Sequence, residues 1–214
     1  MTLSEIRKHV YYLGIAEAAL ANSTCLRRKY GAIIVKNDEI IATGYNGSPR
    51  GCPNCADIKH CVRSTLYTRK GDNYGLCLSV HAEMNAIISA PRRDMIGATM
   101  YIVGHEAGSE TPIYANPSPC TICQRLIINA GITACYGVFA EASGKDLTPY
   151  KVEAGVVLGY VKKIPITPKN FIDEITNRYM EIAATTAEAQ AMEIIGAVDA
   201  LRDDMSRRTA KKSK

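Results

Sequence analysis

Two short motifs, Val80-His81-Ala82-Glu83-Met84-Asn85-Ala86 and Pro119-Cys120-Thr121-Ile122-Cys123, constrain this chain more than any other feature. Either one alone says little, because Cys-x-x-Cys also marks redox pairs and zinc ribbons, and His-x-Glu is common on helix surfaces. Together, in this order and with a proline directly before the first cysteine, they read as two halves of one metal site. His81 follows a loop and opens one helix, and Cys120 and Cys123 lie one turn apart at the opening of another. The fold therefore has to bring two helix N-termini side by side.

The residue types suit catalysis better than scaffolding. Residues i and i+3 of a helix face the same way, so both sulfurs can reach one ion. Helix N-termini carry partial positive charge, which favours thiolate over thiol. Three protein ligands leave a tetrahedral zinc one open position for water, and one imidazole with two thiolates makes the bound ion formally neutral. Glu83 lies beside these ligands without being needed as one. That position suits a proton shuttle for the attacking water.

Composition limits the partners. With 214 residues, 47% hydrophobic and 22% charged, the chain has the length for one sizeable core plus an appendage. Its formal charge of +5 resides in Arg207, Arg208, Lys211, Lys212 and Lys214, so residues 1–206 balance to zero and carry no basic groove for a polynucleotide. There is no run of about eighteen apolar residues and no signal-peptide pattern, so the expected location is the cytoplasm, with no membrane contact. In a reducing compartment, eight cysteines favour thiolates and metal over disulfides.

Along the chain, Thr2 and Glu5 are spaced as a capping box, and Leu3, Ile6, Val10, Leu13, Ala16 and Leu20 form the apolar stripe of a first helix ending near Ala21 or Asn22. Tyr30–Lys36 and Glu39–Tyr45 read as a hairpin buried on both faces, turned by Asn37-Asp38. Residues 46–80 are too long for a connector and hold Cys52, Cys55, Cys61 and Cys77, with Cys25 just before the first strand; four thiolates can order such a loop through a structural zinc. A helix from His81 to before Pro91, a strand at Thr99–Val103, a Gly/Ser/Pro-rich loop over 104–118, a helix from Cys120 to Ala130 capped by Gly131 and a strand at Thr133–Val138 follow. Cys135, within that strand, reads as a small buried hydrophobe.

Val156–Val161 is a candidate fifth strand, and Thr167-Pro168 starts a long helical segment running toward Arg207. Ile172, Ile175, Tyr179 and Ile182 make one seam on it and Ile194, Val198, Leu201 and Met205 another, suited to an oligomer contact or to packing across the domain. The pattern predicts a three-layer α/β/α sandwich with a mixed, roughly five-stranded sheet over residues 1–164, followed by a helical extension with a basic tail over 165–214.

At this point the two metal motifs resemble the cytidine deaminase superfamily of zinc-dependent deaminases. The segment Gly44-Tyr45-Asn46-Gly47-Ser48-Pro49-Arg50-Gly51 before Asn54-Cys55, with Tyr30–Val35 as a first strand, is similar to the deoxycytidylate (dCMP) deaminases over roughly residues 3–138. The resemblance implies hydrolysis of dCMP to dUMP and ammonia for thymidylate synthesis, by a homo-oligomer, usually a hexamer, regulated by dCTP and dTTP with Mg2+. It assigns His81, Cys120 and Cys123 to the catalytic zinc, Glu83 to proton transfer, the Ala82 backbone to the pyrimidine and Asn46 to the sugar. Arg28 and Arg50 are candidates for phosphate or effector contacts. A second, structural zinc is implied through Cys25 and Cys55, completed by Cys61 and Cys77, with Cys52 and His60 as substitutes.

The chain departs from the family pattern in the 104–118 loop, in Phe139–Gly144 and in the helical tail. These departures leave open other substrates of the same chemistry (cytidine, dCTP, a modified dCMP or a tRNA adenosine) and an inactive zinc scaffold.

Overall fold

The computed structural model describes residues 2–65, 74–109, 112–141, 148–153 and 156–185, together with short stretches between 192 and 207. It divides into two compact units, Met1–Pro165 and Ile166–Lys214.

The first unit opens with α1 (Leu3–Leu20), whose capping box forms as its sequence demands: the Thr2 hydroxyl accepts from the Glu5 backbone N–H, and the Glu5 carboxylate accepts from that of Thr2 at 2.6 Å. Strands β1 (Arg28–Lys36) and β2 (Glu39–Tyr45) then form a hairpin. Asn37 and Asp38 take φ values of 52° and 65°, the left-handed conformation that a two-residue hairpin turn requires and that these side chains tolerate. Short helices α2 (Cys55–Ile58) and α3 (Val62–Thr65) and a 3₁₀ turn at Tyr74–Leu76 punctuate the long loop. Next come α4 (Ala82–Ile88), α5 (Arg92–Met95), β3 (Thr99–Glu106), α6 (Thr121–Ala130), β4 (Ala134–Phe139), β5 (Thr148–Glu153) and β6 (Val156–Ile164).

The strands form one mixed sheet in the order β2-β1-β3-β4-β6-β5, with β3 and β4 parallel and the other pairs antiparallel. On one face α1 packs Leu13, Ala16 and Leu20 against Ile33, Val35, Tyr101, Val103, Val138 and Val161. The opposite face carries α4 against β1 and β2, with α6 beside it. Two glycines set the spacing of these layers. A Cβ at Gly31 would collide with the Ala16 carbonyl of α1, and one at Gly44 with the Ala82 carbonyl and Ala86 N–H of α4.

The expected mixed sheet of roughly five strands with helices on both faces is present with one strand more, and two other expectations need correction. The hairpin is not buried on both faces: β1 is, but β2 is an edge strand that leaves alternate residues exposed. The sheet has a sixth strand, β5. Its Pro149 is tolerated because β5 is an edge strand, one side of which needs no ladder donors. The C-terminal helical segment is not continuous either. In the second unit α7 (Pro168–Ala183), capped by the Thr167 hydroxyl accepting from Asn170 N–H, ends in a turn at Ala184 and Thr185, with further helical residues from 192 onward. On α7, Ile172 and Ile175 are half-buried while Tyr179 and Ile182 are exposed. Leu201, Met205 and the tail residues Arg208, Lys211, Lys212 and Lys214 lie outside the described residues, as do positions 142–144 of the Phe139–Gly144 segment. No helix among the described residues is long and apolar enough to cross a membrane.

Candidate metal centre

Each half of the site is pinned to the sheet before its ligands are presented. Gly47 and Val80 exchange two backbone hydrogen bonds, of 2.8 and 3.3 Å, so the chain enters α4 from the end of β2. Asn85 Nδ2 donates to the Tyr45 carbonyl at 2.7 Å, and Gly44 allows the close approach of α4. His81 is the N-cap of α4, in extended conformation. On the other side, Pro117 is buried over Gly137 of β4, Asn116 Oδ1 accepts from Ser118 N–H at 2.8 Å, and the Tyr30 hydroxyl donates to the Asn116 carbonyl at 3.1 Å. This turn delivers Cys120 as the N-cap of α6, and Cys123 lies one turn later, fully buried.

The three side chains converge. His81 Nδ1 lies 3.5 Å from Cys120 Sγ and 3.4 Å from Cys123 Sγ, and all three ligand atoms fall within 4.8 Å of one another. A tetrahedral zinc with Zn–S of about 2.3 Å and Zn–N of about 2.0 Å separates a sulfur and a nitrogen by roughly 3.5 Å, so the set fits zinc without rearrangement.

Electrostatics prepares the same site. Without metal, the Cys123 thiol donates to the Cys120 sulfur and His81 adds a second hydrogen bond, pushing Cys120 down to about 4. Cys123, holding the shared proton and buried, is pushed far up. The Cys120 thiolate in turn raises His81. Metal uptake must displace these protons, so zinc affinity here is coupled to pH. Glu83 is 6% exposed, and burial holds its carboxyl well above the usual range despite the opposing charge of His81. A buried carboxyl of raised pKa is the form a proton shuttle needs near neutrality.

The other predicted residues are placed differently. Asn46 is buried, and its amide is committed to the fold: Oδ1 accepts from Ser23 Oγ at 2.6 Å and from Tyr30 N–H at 2.7 Å, while Nδ2 donates to the Arg28 carbonyl at 2.9 Å. Ala82 is fully buried under Gly44. Arg28 is ion-paired with Glu106 at 2.7 Å, and Arg50 is exposed. Cys25, Cys55, Cys61 and Cys77 are half-buried and near one another: burial, then the charges of the other three, raises the Cys55 thiol. Burial also acts to raise Cys61, but hydrogen bonds from Ser64 and from the Arg63 backbone, with the nearby Arg27 charge, bring it down. Among the described residues only His81, Cys120 and Cys123 bring three ligand atoms together, so these four thiols are gathered without converging. Cys52 and His60 are exposed. Cys135 is buried in β4 and, desolvated, is pushed up to about 12, as an inert thiol should be. Two charged residues were missed from the sequence: Glu106, and Arg63 of α3, whose charge reaches His81. Neither lies in a motif that would have marked it.

The family model for the cytidine and deoxycytidylate deaminase zinc-binding region matches residues 6–138. The chain belongs to that family. Among its relatives, the deoxycytidylate deaminase of Mycobacterium phage D29 is 36% identical over 124 residues, covering 57% of this chain and 87% of the relative. The deoxycytidylate deaminase of Saccharomyces cerevisiae is 31% identical over 160 residues, covering 69% of this chain but only 43% of the yeast protein. The chain thus spans most of the phage relative and less than half of the yeast one. A crystal structure of dCMP deaminase from the cyanophage S-TIM5 shares 26% identity over 64% of this chain and 84% of the other, with a TM-score of 0.42. In this zinc-binding family the resident metal is zinc, and His81, Cys120 and Cys123 form the cluster able to hold it.

Proposed function

We propose that this chain hydrolyses dCMP to dUMP and ammonia, supplying precursor for thymidylate synthesis. The observation that carries the reading is the convergence of His81, Cys120 and Cys123 beside a buried Glu83. Zinc held there acts as a Lewis acid that brings the pKa of a water molecule toward neutrality. Glu83 accepts a proton from the attacking water and delivers it to pyrimidine N3 as the C4–O bond forms. It then moves the proton of the new C4 hydroxyl to the amino group, the C4–N bond breaks as the C4=O bond forms, and ammonia leaves. Burial keeps bulk water from Glu83, so each proton goes to substrate.

Substrate placement follows the resemblance: the Ala82 backbone on the base, Asn46 at the sugar, Arg28 and Arg50 toward the phosphate. Since the Asn46 side chain is bonded to Ser23, Tyr30 and Arg28, it acts chiefly by shaping the rim. Cys25, Cys55, Cys61 and Cys77 would hold a second, structural zinc. Residues 1–164 form the deaminase domain and 165–214 an extension. The working enzyme is a cytoplasmic homo-oligomer, a hexamer by resemblance, that responds to dCTP and dTTP with Mg2+.

An ultraviolet and ammonia-release assay of zinc-loaded protein across cytidine, deoxycytidine, dCMP, dCTP and 5-substituted dCMP, with and without dCTP, tests this. Preference for dCMP is expected. Preference for unphosphorylated cytidine contradicts the monophosphate assignment, and no turnover of any cytosine compound contradicts the enzyme reading.

A further inference from the structure

We propose that Glu106 is a positioning residue that holds the Arg28 guanidinium at the phosphate end of the substrate site, an inference that rests on the monophosphate reading above. Arg28 and Glu106 face each other across the β1–β3 ladder, and Arg28 Nε donates to Glu106 Oε1 at 2.7 Å. Side chains alternate between the faces of a strand. Gly31 turns toward α1 and Ile33 lies in the α1 core, so Arg28, of opposite parity, faces the layer that carries α4 and α6.

At this end of the sheet the backbone leads straight to the metal ligands. The Arg28 carbonyl accepts from Asn46 Nδ2, the next residue, Gly47, is bridged to Val80, and His81 follows. Tyr30, two residues beyond Arg28 on the same face, reaches the turn that delivers Cys120.

Glu106 owes its place to the 104–118 departure from the family pattern. Gly104 O accepts from Ala115 N–H at 2.8 Å, Glu106 N–H donates to Ile113 O at 2.9 Å, and Ala107 N–H donates to Arg27 O at 2.9 Å. The returning segment thus closes a two-stranded arm with Glu106 at its root, tied to β1 next to Arg28. The two side chains are 41% and 38% exposed, a setting in which an ion pair adds little to stability. What the pair does provide is a fixed direction. Arginine grips phosphate as a planar fork, and a fork already aimed spends less entropy on binding.

Steady-state kinetics with dCMP on the zinc-loaded enzyme tests the assignment, with zinc content and melting temperature followed in each variant. Glu106→Ala is expected to raise KM about tenfold with kcat held within about twofold, since only binding of the phosphate is disturbed. Glu106→Gln, which keeps a carbonyl acceptor for Nε–H, recovers most of that loss. In the double variant Glu106→Ala/Arg28→Ala, KM is no higher than in Arg28→Ala alone, because the two residues act through one contact. Wild-type turnover of dCMP tests the underlying reading first, and its absence overturns both. Given that turnover, an unchanged KM in Glu106→Ala, a loss confined to kcat, or additive losses in the double variant overturns the role of Glu106 and leaves the monophosphate reading standing.

Discussion

His81, Cys120 and Cys123 come from two helix N-termini anchored to the sheet, while Cys25, Cys55, Cys61 and Cys77 sit in irregular chain and at the starts of two four-residue helices, one of which buries no residue at all. The ligand atoms of the first group lie within 4.8 Å of one another. The second is drawn together around Cys55 but stops short. The difference lies in what supports each ligand. Ala82, Ala86 and Ile127 bury the helices of the first group against the sheet and one another, whereas the short helices of the second bury little apolar surface.

The largest effect should come from removing a ligand of the preformed group. Cys120→Ala or His81→Ala is expected to abolish zinc binding at the catalytic centre and turnover with it, while circular dichroism still reports a folded sheet. Metal analysis and ammonia release check this, and a folded variant that keeps turnover would break the comparison. Next is the support itself. Gly44→Ala forces α4 away from β2, an overpacking that costs about 1–3 kcal/mol of stability. Because the displaced helix carries His81 and Glu83, turnover should fall on the order of 10²-fold, as for a misplacement of about 1 Å. Zinc-reloaded Gly44→Ala with wild-type turnover would show that helix placement is not what sets the site.

Cys55→Ser sharpens the other half. Zinc content should drop from two per chain to one, the melting temperature should fall, and turnover of the protein that remains folded should change by less than about tenfold, because none of the three ligands at His81, Cys120 and Cys123 is altered. One zinc per wild-type chain would remove the loop from consideration as a metal site.

The smallest effect separates fold stability from metal. His9 packs in its neutral form on Tyr136, with ring centroids 3.9 Å apart, and its Nδ1 lies 3.0 Å from the Tyr101 hydroxyl. Burial lowers its pKa below the ordinary 6.5. Above that value both folded and unfolded chains hold it neutral. Below it the unfolded chain binds the proton more readily, so stability drops as pH falls from about 6.5 toward the lower folded pKa. Melting curves at pH 7.5 and 5.5 should show a smaller acid loss in His9→Phe than in the wild type, with any acid loss of zinc common to both. Equal losses would exclude His9 as a source of acid sensitivity.

Much of this was legible beforehand, and for physical reasons. The Thr2/Glu5 box, the Asn37-Asp38 turn, the Gly131 cap and the Thr167-Pro168 start are local signals that tertiary context did not override. The convergence of His81, Cys120 and Cys123 was legible because metal chemistry restricts both residue type and spacing. Strand β5 was not legible; it carries Pro149, which an edge position tolerates. The break at Ala184 has no glycine or proline to announce it. Glu106 and the committed amide of Asn46 depend on cross-strand register and on long-range hydrogen bonds, which one-dimensional patterns do not encode.

The central claim is that the preformed His81/Cys120/Cys123 group is a catalytic zinc centre with Glu83 as its proton carrier. Measuring zinc content and ammonia release from dCMP on the same preparation of Glu83→Gln tests it most directly. Wild-type zinc content with turnover reduced by roughly 10²–10⁴-fold, the usual contribution of a general acid–base, is the predicted result. Wild-type zinc content with turnover retained would contradict it.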